Sequence, residues 1–335
     1  MANSEKHEID PGSMVAIPIA EFLSAAKLPV DIFIKLSESK FVHLAKAGEA
    51  VQIERLSRYE NKNIEFLFIR KDDYGTYVEQ NLTIAGILLN KKELAQGQRT
   101  SVLGQATRSV FRELEAVGFT PVTLVHAKTI VKSTVELVEA KMSLASLIES
   151  MKNSSEELVA HSSAVSVVSV MIAHAMGWEN KSTLEKLALG GLLHDIGLKE
   201  LAPELLKKPR AEMTFEEIQQ YETHSFRGMQ ILQSLGIVPD DVISMVYEHH
   251  ENAAGQGFPR RLKDVRVHPL ARVIQLANAF VELTIKNVNN PVPRSAEEAL
   301  QYVEQTMGMP FNREVFKALK KMVEPPGAQN LKAAA

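Results

Sequence analysis

The chain of 335 residues is long enough for two domains, one of them small. Its 45% apolar and 24% charged residues are ordinary for a globular protein, and its net charge of -3 argues against a general electrostatic binder of nucleic acid, so no DNA partner is expected. The absence of cysteine excludes disulfides, thiolate metal ligands and cysteine nucleophiles, and it fits a reducing compartment.

The N-terminal part of the chain, residues 15–78, has the pattern of a small α+β domain. Runs of β-branched and aromatic residues predict strands at 30–36, 40–45 and 63–70, and apolar residues at helical spacing predict a short helix at 49–60. This β-β-α-β unit carries no catalytic constellation. Its position ahead of the rest of the chain suggests regulation or the binding of a protein partner.

Helical patterns replace the strand pattern after residue 79. We expect a helical connecting segment over 79–150 and a helical domain over 151–323. A Ser or Thr followed three residues later by Glu, the capping-box arrangement, predicts helix starts at Ser154, Ser182, Thr214 and Ser295. Glycines predict helix ends at Gly177, Gly197 and Gly236.

Neither end of the chain reads as a targeting segment. Residues 1–14 are polar and lack an apolar signal-peptide core, so we expect a disordered lead-in, and residues 324–335 read as a tail. No run of about 18 apolar residues predicts a membrane span. A cytoplasmic location is therefore the expectation.

Polar side chains interrupt the apolar stripes of the C-terminal helices. His161 lies in register with Leu158 and Val165, and the stretch "HDIG" closes an apolar helix with His194 and Asp195. The later helices add further donors in register with apolar residues: His224, His249, His250 and Asn278. Taken alone, His161 is more often a core histidine that hydrogen-bonds to a carbonyl, because burying an unpaired imidazole is costly.

Together, five successive helices direct such donors toward a common core. Imidazole and oxygen donors without cysteine favour a metal centre, with about one set of ligands on each helix of a bundle. The number of donors is too large for one tetrahedral zinc ion. It suits two divalent ions that share a carboxylate.

This series resembles the HD superfamily of metal-dependent phosphohydrolases and, more narrowly, the HD-GYP family of bacterial cyclic di-GMP phosphodiesterases. The resemblance covers about 150–320 and rests on an early His, "HDIG", a later His, "HHE", the turn "GQGFP" and a final polar residue. It implies a chain that is mainly α with a small α+β N-terminal domain, and a C-terminal helical bundle around a binuclear metal centre. Two divalent ions, iron or manganese, are expected, and a hydroxide that bridges them would attack the phosphodiester.

The resemblance assigns roles residue by residue. Asp195 would be the catalytic residue and would bridge the two metals. The expected metal ligands are His161, His194, Asp195, His224, His249, His250 and Asn278. Glu157 would hold a third, less expected metal, and its alternative role is the far half of a capping box. The signature loop would consist of Gly255, Gly257, Phe258 and Pro259.

Two substitutions remove expected phosphate contacts. Leu198 replaces the lysine of the family's "HDIGK", and Lys199, displaced by one residue, becomes a candidate for substrate binding. Asn287 replaces an arginine that follows the last ligand, and the adjacent Lys286 becomes a second candidate.

Three further substitutions alter the metal centre and the loop. Asn278 stands where the family has an aspartate ligand, so it brings no charge and should weaken metal binding at the first site. In the signature loop Ala254 replaces an aspartate and Phe258 replaces the tyrosine.

These departures leave three functions open. The first is a divergent but active phosphodiesterase of cyclic di-GMP. The second is a catalytically weak or inactive metal-bound domain that acts by binding a nucleotide, or a protein at the glycine-rich loop or the N-terminal domain. The third is a phosphohydrolase of another nucleotide. The remaining histidines in helices and strands, His43, His126, His174 and His268, lie outside the series and are expected to be structural.

Overall fold

The N-terminal part of the chain forms a four-stranded antiparallel sheet. The computed structural model describes residues 10–22, 27–50, 64–91, 93–151, 157–305 and 311–324. The strands are β1 Met14–Pro18, β2 Ile32–Ser37, β3 Lys40–Ala45 and β4 Phe66–Arg70, in the order β1-β4-β2-β3. A small apolar core on this sheet includes Met14, Phe33 and Phe41, with Phe68 packed against it.

The predicted strands lie close to the observed β2, β3 and β4, whereas β1 was missed. The run Met14–Pro18 is short, ends in proline and follows a polar lead-in, so its alternation is weak in the sequence. In the structure it pairs along its whole length with β4, from Met14 opposite Arg70 to Pro18 opposite Phe66. The helix predicted at 49–60 lies largely outside the described residues.

The rest of the described chain is helical, which confirms the predicted fold class. The helices are α1 Ile19–Phe22, α2 Tyr74–Leu89, α3 Gln96–Val117, α4 Pro121–Glu139, α5 Leu144–Met151, α6 Glu157–Ala175, α7 Lys181–Leu193, α8 Pro203–Leu206, α9 Phe215–Glu222, α10 His224–Ser234, α11 Asp240–Glu248, α12 Pro269–Thr284, α13 Ala296–Gln305 and α14 Arg313–Val323. The chain divides into two units, residues 1–84 with 109–118 and residues 85–108 with 119–335. The domain boundaries expected at 78 and 150 remain predictions.

Helix α6 is the central element of the second unit. It packs against α4, α5, α7, α12 and α14. It is long and apolar enough to cross a membrane, but 72% of its most apolar stretch is buried inside the protein. Its composition is therefore explained by its position in the core of the bundle.

Helix starts follow the predicted capping boxes at two positions. Thr214 and Ser295 each accept a hydrogen bond from the backbone of the Glu three residues later, and each Glu side chain accepts one in return. The start predicted at Ser182 is wrong, because Asn180 caps α7 by accepting from the Thr183 backbone. Ser154 lies outside the described residues.

Glycine 197 does not end a helix as predicted. Helix α7 ends at Leu193, and Gly197 lies within the following 3₁₀ turn, Ile196–Glu200. The turn packs directly on α10: a Cβ at position 197 would overlap the His224 carbonyl oxygen and lie 2.6 Å from the Gly228 nitrogen. Glycine is therefore required at position 197, because two backbones approach each other closely there.

We predict that Gly197→Ala destabilises the protein by about 3 kcal/mol or more, because backbone atoms of α10 must move to admit the methyl group. Thermal unfolding would measure the loss. Gly86→Ala is the matched control: no atom lies within 4 Å of its added Cβ inside α2, so the unfolding temperature should be unchanged or slightly higher. An unfolding temperature of Gly197→Ala equal to that of the control would contradict this account.

Candidate metal centre

The ends of three helices and the interior of two bring the predicted donors together. His161 comes from α6, and His194 is the C-terminal cap of α7, directly before Asp195. His224 begins α10, and His249 caps the end of α11. Asn278 lies within α12. His194, His224 and His249 are almost completely buried.

The carboxylate of Asp195 lies between two pairs of imidazoles. Its Oδ2 is 3.1 Å from His194 Nε2 and 3.8 Å from His161 Nε2. Its Oδ1 is 3.4 Å from His224 Nε2 and 3.5 Å from His249 Nε2. This buried Oδ1 makes no hydrogen bond with the described residues. A buried carboxylate oxygen without a donor needs a positive partner.

Backbone carbonyls fix the orientation of three imidazoles. The Nδ1 atoms of His194, His224 and His249 lie 2.7–2.8 Å from the carbonyl oxygens of Gly191, Tyr221 and Val246. A carbonyl only accepts, so Nδ1 carries the proton and the Nε2 lone pair faces Asp195 when the ring is neutral. A hydrogen bond from the ring nitrogen that faces away from the metal to a backbone carbonyl is typical of histidines that bind metals.

The Nε2 atoms themselves approach closely in pairs. His161 and His194 are separated by 3.2 Å between their Nε2 atoms, and His224 and His249 by the same distance. Neutral His224 and His249 rings, whose Nδ1 protons are both fixed, would oppose their lone pairs, so this pair requires a shared proton or a cation. The residues therefore fit a divalent cation, since its ligands must present lone pairs.

The electrostatics favour neutral imidazoles around one ionised carboxylate. Burial lowers the pKa of His161 and of His224 to about 4, and burial also lowers the pKa values of His249 and His250. The His194 pKa is raised, because its charge and hydrogen bond with Asp195 outweigh the effect of burial.

The Asp195 pKa is affected in the opposite sense by the same contacts. Burial alone would raise the pKa of this carboxyl group, but the close imidazoles, first His194 and then His249 and His224, hold it well below the ordinary value. An ionised Asp195 is the form that attracts a cation.

Two groups of side chains could each hold a metal ion, and they share Asp195. One consists of His161, His194 and Asp195, and the other of Asp195, His224, His249 and His250. Within each group the candidate ligand atoms lie within 4.8 Å of one another. The structure thus places six of the predicted ligands in two adjacent groups.

Asn278 and Glu157 lie beside these groups. Asn278 is buried beside His161, and its side chain acts against burial by raising the pKa of that histidine. Glu157 is exposed, and its Oε1 accepts a hydrogen bond from the Val288 backbone at 2.9 Å. Both residues line the cavity described below, and their roles as ligands stay predictions.

The signature loop packs its aromatic residue onto the second group. Phe258 stacks on His250 with ring centroids 4.4 Å apart, and the Phe258–Pro259 peptide bond is cis. A Cβ at Gly257 would overlap the His250 carbonyl and lie 2.6 Å from Glu251 Cα, so only glycine fits. Gly255 adopts a φ of 75°.

Glu251 holds this loop in place and was not singled out from the sequence. Its buried carboxylate accepts hydrogen bonds from the backbone of Arg260 and Leu262, each at 2.6 Å. These bonds tie the segment just after Pro259 to Glu251, which precedes the loop, so the position of Phe258 depends on Glu251.

A cavity of about 250 Å³ reaches the metal groups from the surface. His161, Asp195 and His250 lie in its wall. Leu198, which replaces the expected lysine, is buried in an apolar cluster with Leu201 and Leu205. The cavity wall at position 198 is therefore apolar.

The cations of the cavity wall differ from those proposed from the sequence. Lys199 and Lys286 are both exposed, and neither lines the cavity. Lys208 and Arg210 line it instead, and both come from the connection between α8 and α9. Sequence periodicity could not find them, because this connection has no regular pattern; the cationic run "LKKPR" following "HDIG" was the available signal.

Three polar residues of the same wall were also missed. Tyr221, Glu282 and Asn289 line the cavity. Burial, then the charge of Asp195, raises the pKa of Glu282, and Asn289 donates a hydrogen bond to its Oε1 at 3.2 Å. Glu282 lies one turn after Asn278 on α12, a spacing that was available in the sequence.

A helical bundle with adjacent histidine and aspartate groups at the ends of its helices defines an HD-type domain. The HD domain family matches residues 145–315, just over half of the chain. The chain therefore belongs to the HD domain family. The relatives described next support the narrower resemblance to HD-GYP proteins, with Phe258 in place of that family's tyrosine.

Curated relatives match about half of the chain. The cyclic di-GMP phosphodiesterase PA4108 of Pseudomonas aeruginosa is 31% identical over 176 residues, which are 52% of this chain and 41% of that protein. The cyclic di-GMP phosphodiesterase of Thermotoga maritima is 29% identical over 48% of this chain and 44% of its own length. The 3'3'-cGAMP-specific phosphodiesterase 1 of Vibrio cholerae is 30% identical over 44% of this chain and 34% of its own length. The chain thus spans less than half the length of the relatives it matches.

A solved structure shares the fold over nearly the whole chain. Bd1817, a HDG"Y"P protein from Bdellovibrio bacteriovorus, superposes with a TM-score of 0.66 over 95% of this chain and 99% of its own. The sequence identity is 21%, so this similarity shows a shared fold and nothing about activity.

We predict that the metal-free protein loses stability as the pH falls from 7.5 to 5. His161 and His224 titrate near 6.5 when unfolded and near 4 when folded, so the unfolded state binds more protons in this window. Each should cost on the order of 2 kcal/mol at pH 5. His249 and His250 act in the same direction, and the raised pKa of His194 opposes them.

Chemical denaturation in the presence of a chelator, at several pH values, would measure this dependence. His224→Gln should reduce the slope, whereas Asn in place of the exposed His174 should leave it unchanged. A metal-free protein whose free energy of unfolding is flat over this range would contradict the assignment of buried neutral imidazoles.

Proposed function

We propose that the domain is a divalent-metal-dependent phosphodiesterase and that its substrate is cyclic di-GMP. The observation that carries the proposal is the placement of Asp195, whose two oxygens each face a pair of imidazole nitrogens. The names of the relatives from Pseudomonas aeruginosa and Thermotoga maritima support the substrate class.

The proposed centre holds two divalent ions, one in each group, with Asp195 between them. Neutral imidazoles would hold the ions without cancelling their charge, and His250 completes the second group. Asn278 would offer an amide oxygen to the first group, so we expect weaker binding there than a carboxylate would give. Iron or manganese follows from the HD-GYP resemblance, and a third ion at Glu157 is less favoured.

The protein's own residues would prepare the reaction by position and charge. Bound divalent ions supply an activated water and offset the charge of the phosphodiester. Asp195 fixes the spacing of the two groups, and the carbonyl-bound histidines keep their lone pairs toward it. The apolar cluster around Leu198 keeps water from that side of the cavity.

One observation favours the second candidate, a metal-bound domain with little turnover. Leu198 is buried among leucines and so cannot replace a phosphate-binding lysine. Such a domain would act by binding a nucleotide, or a protein partner at the signature loop or the N-terminal domain. The cytoplasmic location likewise stays a proposal, as does hydrolysis of another cyclic dinucleotide such as the one named for the Vibrio cholerae relative.

We predict about two tightly bound divalent ions per chain and less than one for Asp195→Ala, because this change removes the oxygens that both groups share. Metal analysis of the purified, manganese-loaded protein after dialysis would count them. His174→Ala is the matched control, since this exposed histidine belongs to neither group. Fewer than one ion per wild-type chain would overturn the metal centre.

We predict that the manganese-loaded protein converts cyclic di-GMP to a linear product at least about 100-fold faster than Asp195→Ala, the typical effect of removing a central charged group. Chromatography of timed samples would detect the product, with 3'3'-cGAMP as a parallel substrate. Binding of cyclic di-GMP without product would support the regulatory candidate instead. Turnover of 3'3'-cGAMP alone would keep the phosphodiesterase and change its substrate.

A further inference from the structure

Arg210 is a cation of the cavity wall that the metal centre does not use. Its guanidinium carbon lies 5.6 Å from the centre of the Tyr221 ring and 5.5 Å from that of Phe258. Each of these rings packs in turn on the centre: Tyr221 lies 5.1 Å from the His224 ring, and Phe258 lies 4.4 Å from the His250 ring. Two rings thus hold the guanidinium at a fixed position next to the second metal group.

Two polar contacts fix the same residue from other sides. Its backbone nitrogen donates a hydrogen bond to Asn289 Oδ1 at 2.8 Å, which ties the α8–α9 connection to the segment after α12. Its Nη2 forms an ion pair with Glu222. Within the described part of the chain, its Nε and Nη1 atoms make no hydrogen bond, and its side chain is 40% exposed. Donors are therefore available to a ligand that enters the cavity.

The charge and the size of the cavity make this position important for an anionic ligand. Asp195, Glu157 and Glu282 line the wall, so a phosphate entering it meets three carboxyl groups. A volume of about 250 Å³ is smaller than a site that encloses a drug-sized ligand, typically about 300–1,000 Å³. A cyclic dinucleotide with one phosphodiester at the metals would therefore extend into the open part of the cavity, and Arg210 is a partly exposed cation of its wall.

We propose that Arg210 binds a phosphate of the cyclic dinucleotide and exchanges its ion pair with Glu222 for that contact. The proposal rests on the proposed function, since it assigns a substrate contact in the same site. A guanidinium presents a planar pair of donors that matches two phosphate oxygens. Tyr221 and Phe258 keep this plane in place, so little side-chain freedom is lost on binding.

Opposite effects of two substitutions test the proposal. Arg210→Met should weaken binding of cyclic di-GMP about 10- to 100-fold, the usual size of a lost charged hydrogen bond, and Arg210→Lys should recover part of it. Glu222→Gln should tighten binding a few-fold, because it removes the competing carboxylate and keeps the arginine. Arg227→Met is the matched control: this arginine of α10 hydrogen-bonds to Thr223 and does not line the cavity.

Affinities would be measured by titrating the manganese-loaded full chain with fluorescent cyclic di-GMP on ice. The metal content and the unfolding temperature of each variant would be measured as well. Where product forms, KM and kcat would be determined. A purely structural ion pair predicts that Glu222→Gln weakens binding as Arg210→Met does, and that outcome overturns the proposal. Wild-type protein that binds cyclic di-GMP no better than Arg210→Met also overturns it while leaving the proposed function intact. Wild-type protein that loads metal but binds no cyclic dinucleotide overturns both.

Discussion

The rest of the helical domain depends on one buried carboxylate, that of Asp195. Removing a carboxylate from water is costly unless positive groups surround it. Here one oxygen faces His161 and His194 and the other faces His224 and His249, so the cost is offset by a cation or a proton held where those four rings converge. Four helices must therefore meet at this point, and the Gly197 contact with α10 allows two of them to do so.

Backbone carbonyls at helix ends orient three of the imidazole rings. The last carbonyls of a helix have no partner inside the helix. His194 and His249 each lie three residues after such a carbonyl at the ends of α7 and α11, and His224 uses the last turn of α9 in the same way. One contact thus satisfies a free carbonyl and fixes the tautomer of a candidate metal ligand. This explains why His194, His224 and His249 occur at helix ends, whereas His161 and Asn278 lie inside helices.

The sequence predicts those parts of the structure that repeat with a period. The donors on apolar stripes and the capping boxes at Thr214 and Ser295 were found because helical spacing places them. Strand β1 was missed, because five residues ending in proline carry too little alternation. The wall residues Lys208 and Arg210 were missed for a related reason: an irregular connection places side chains by tertiary contacts that no local pattern encodes.

The substitutions redistribute charge around the centre rather than simply remove it. Position 198 has become part of an apolar cluster, while the cations of the wall come from the α8–α9 connection, held by rings and ion pairs. Asn278 brings no charge, but Glu282 presents a carboxyl group one turn later on the same helix. If Arg210 binds the outer phosphate as proposed, this rearrangement would separate binding from turnover, because that phosphate is not the one attacked. The proposed site would then keep its affinity for a cyclic dinucleotide even where its rate has fallen.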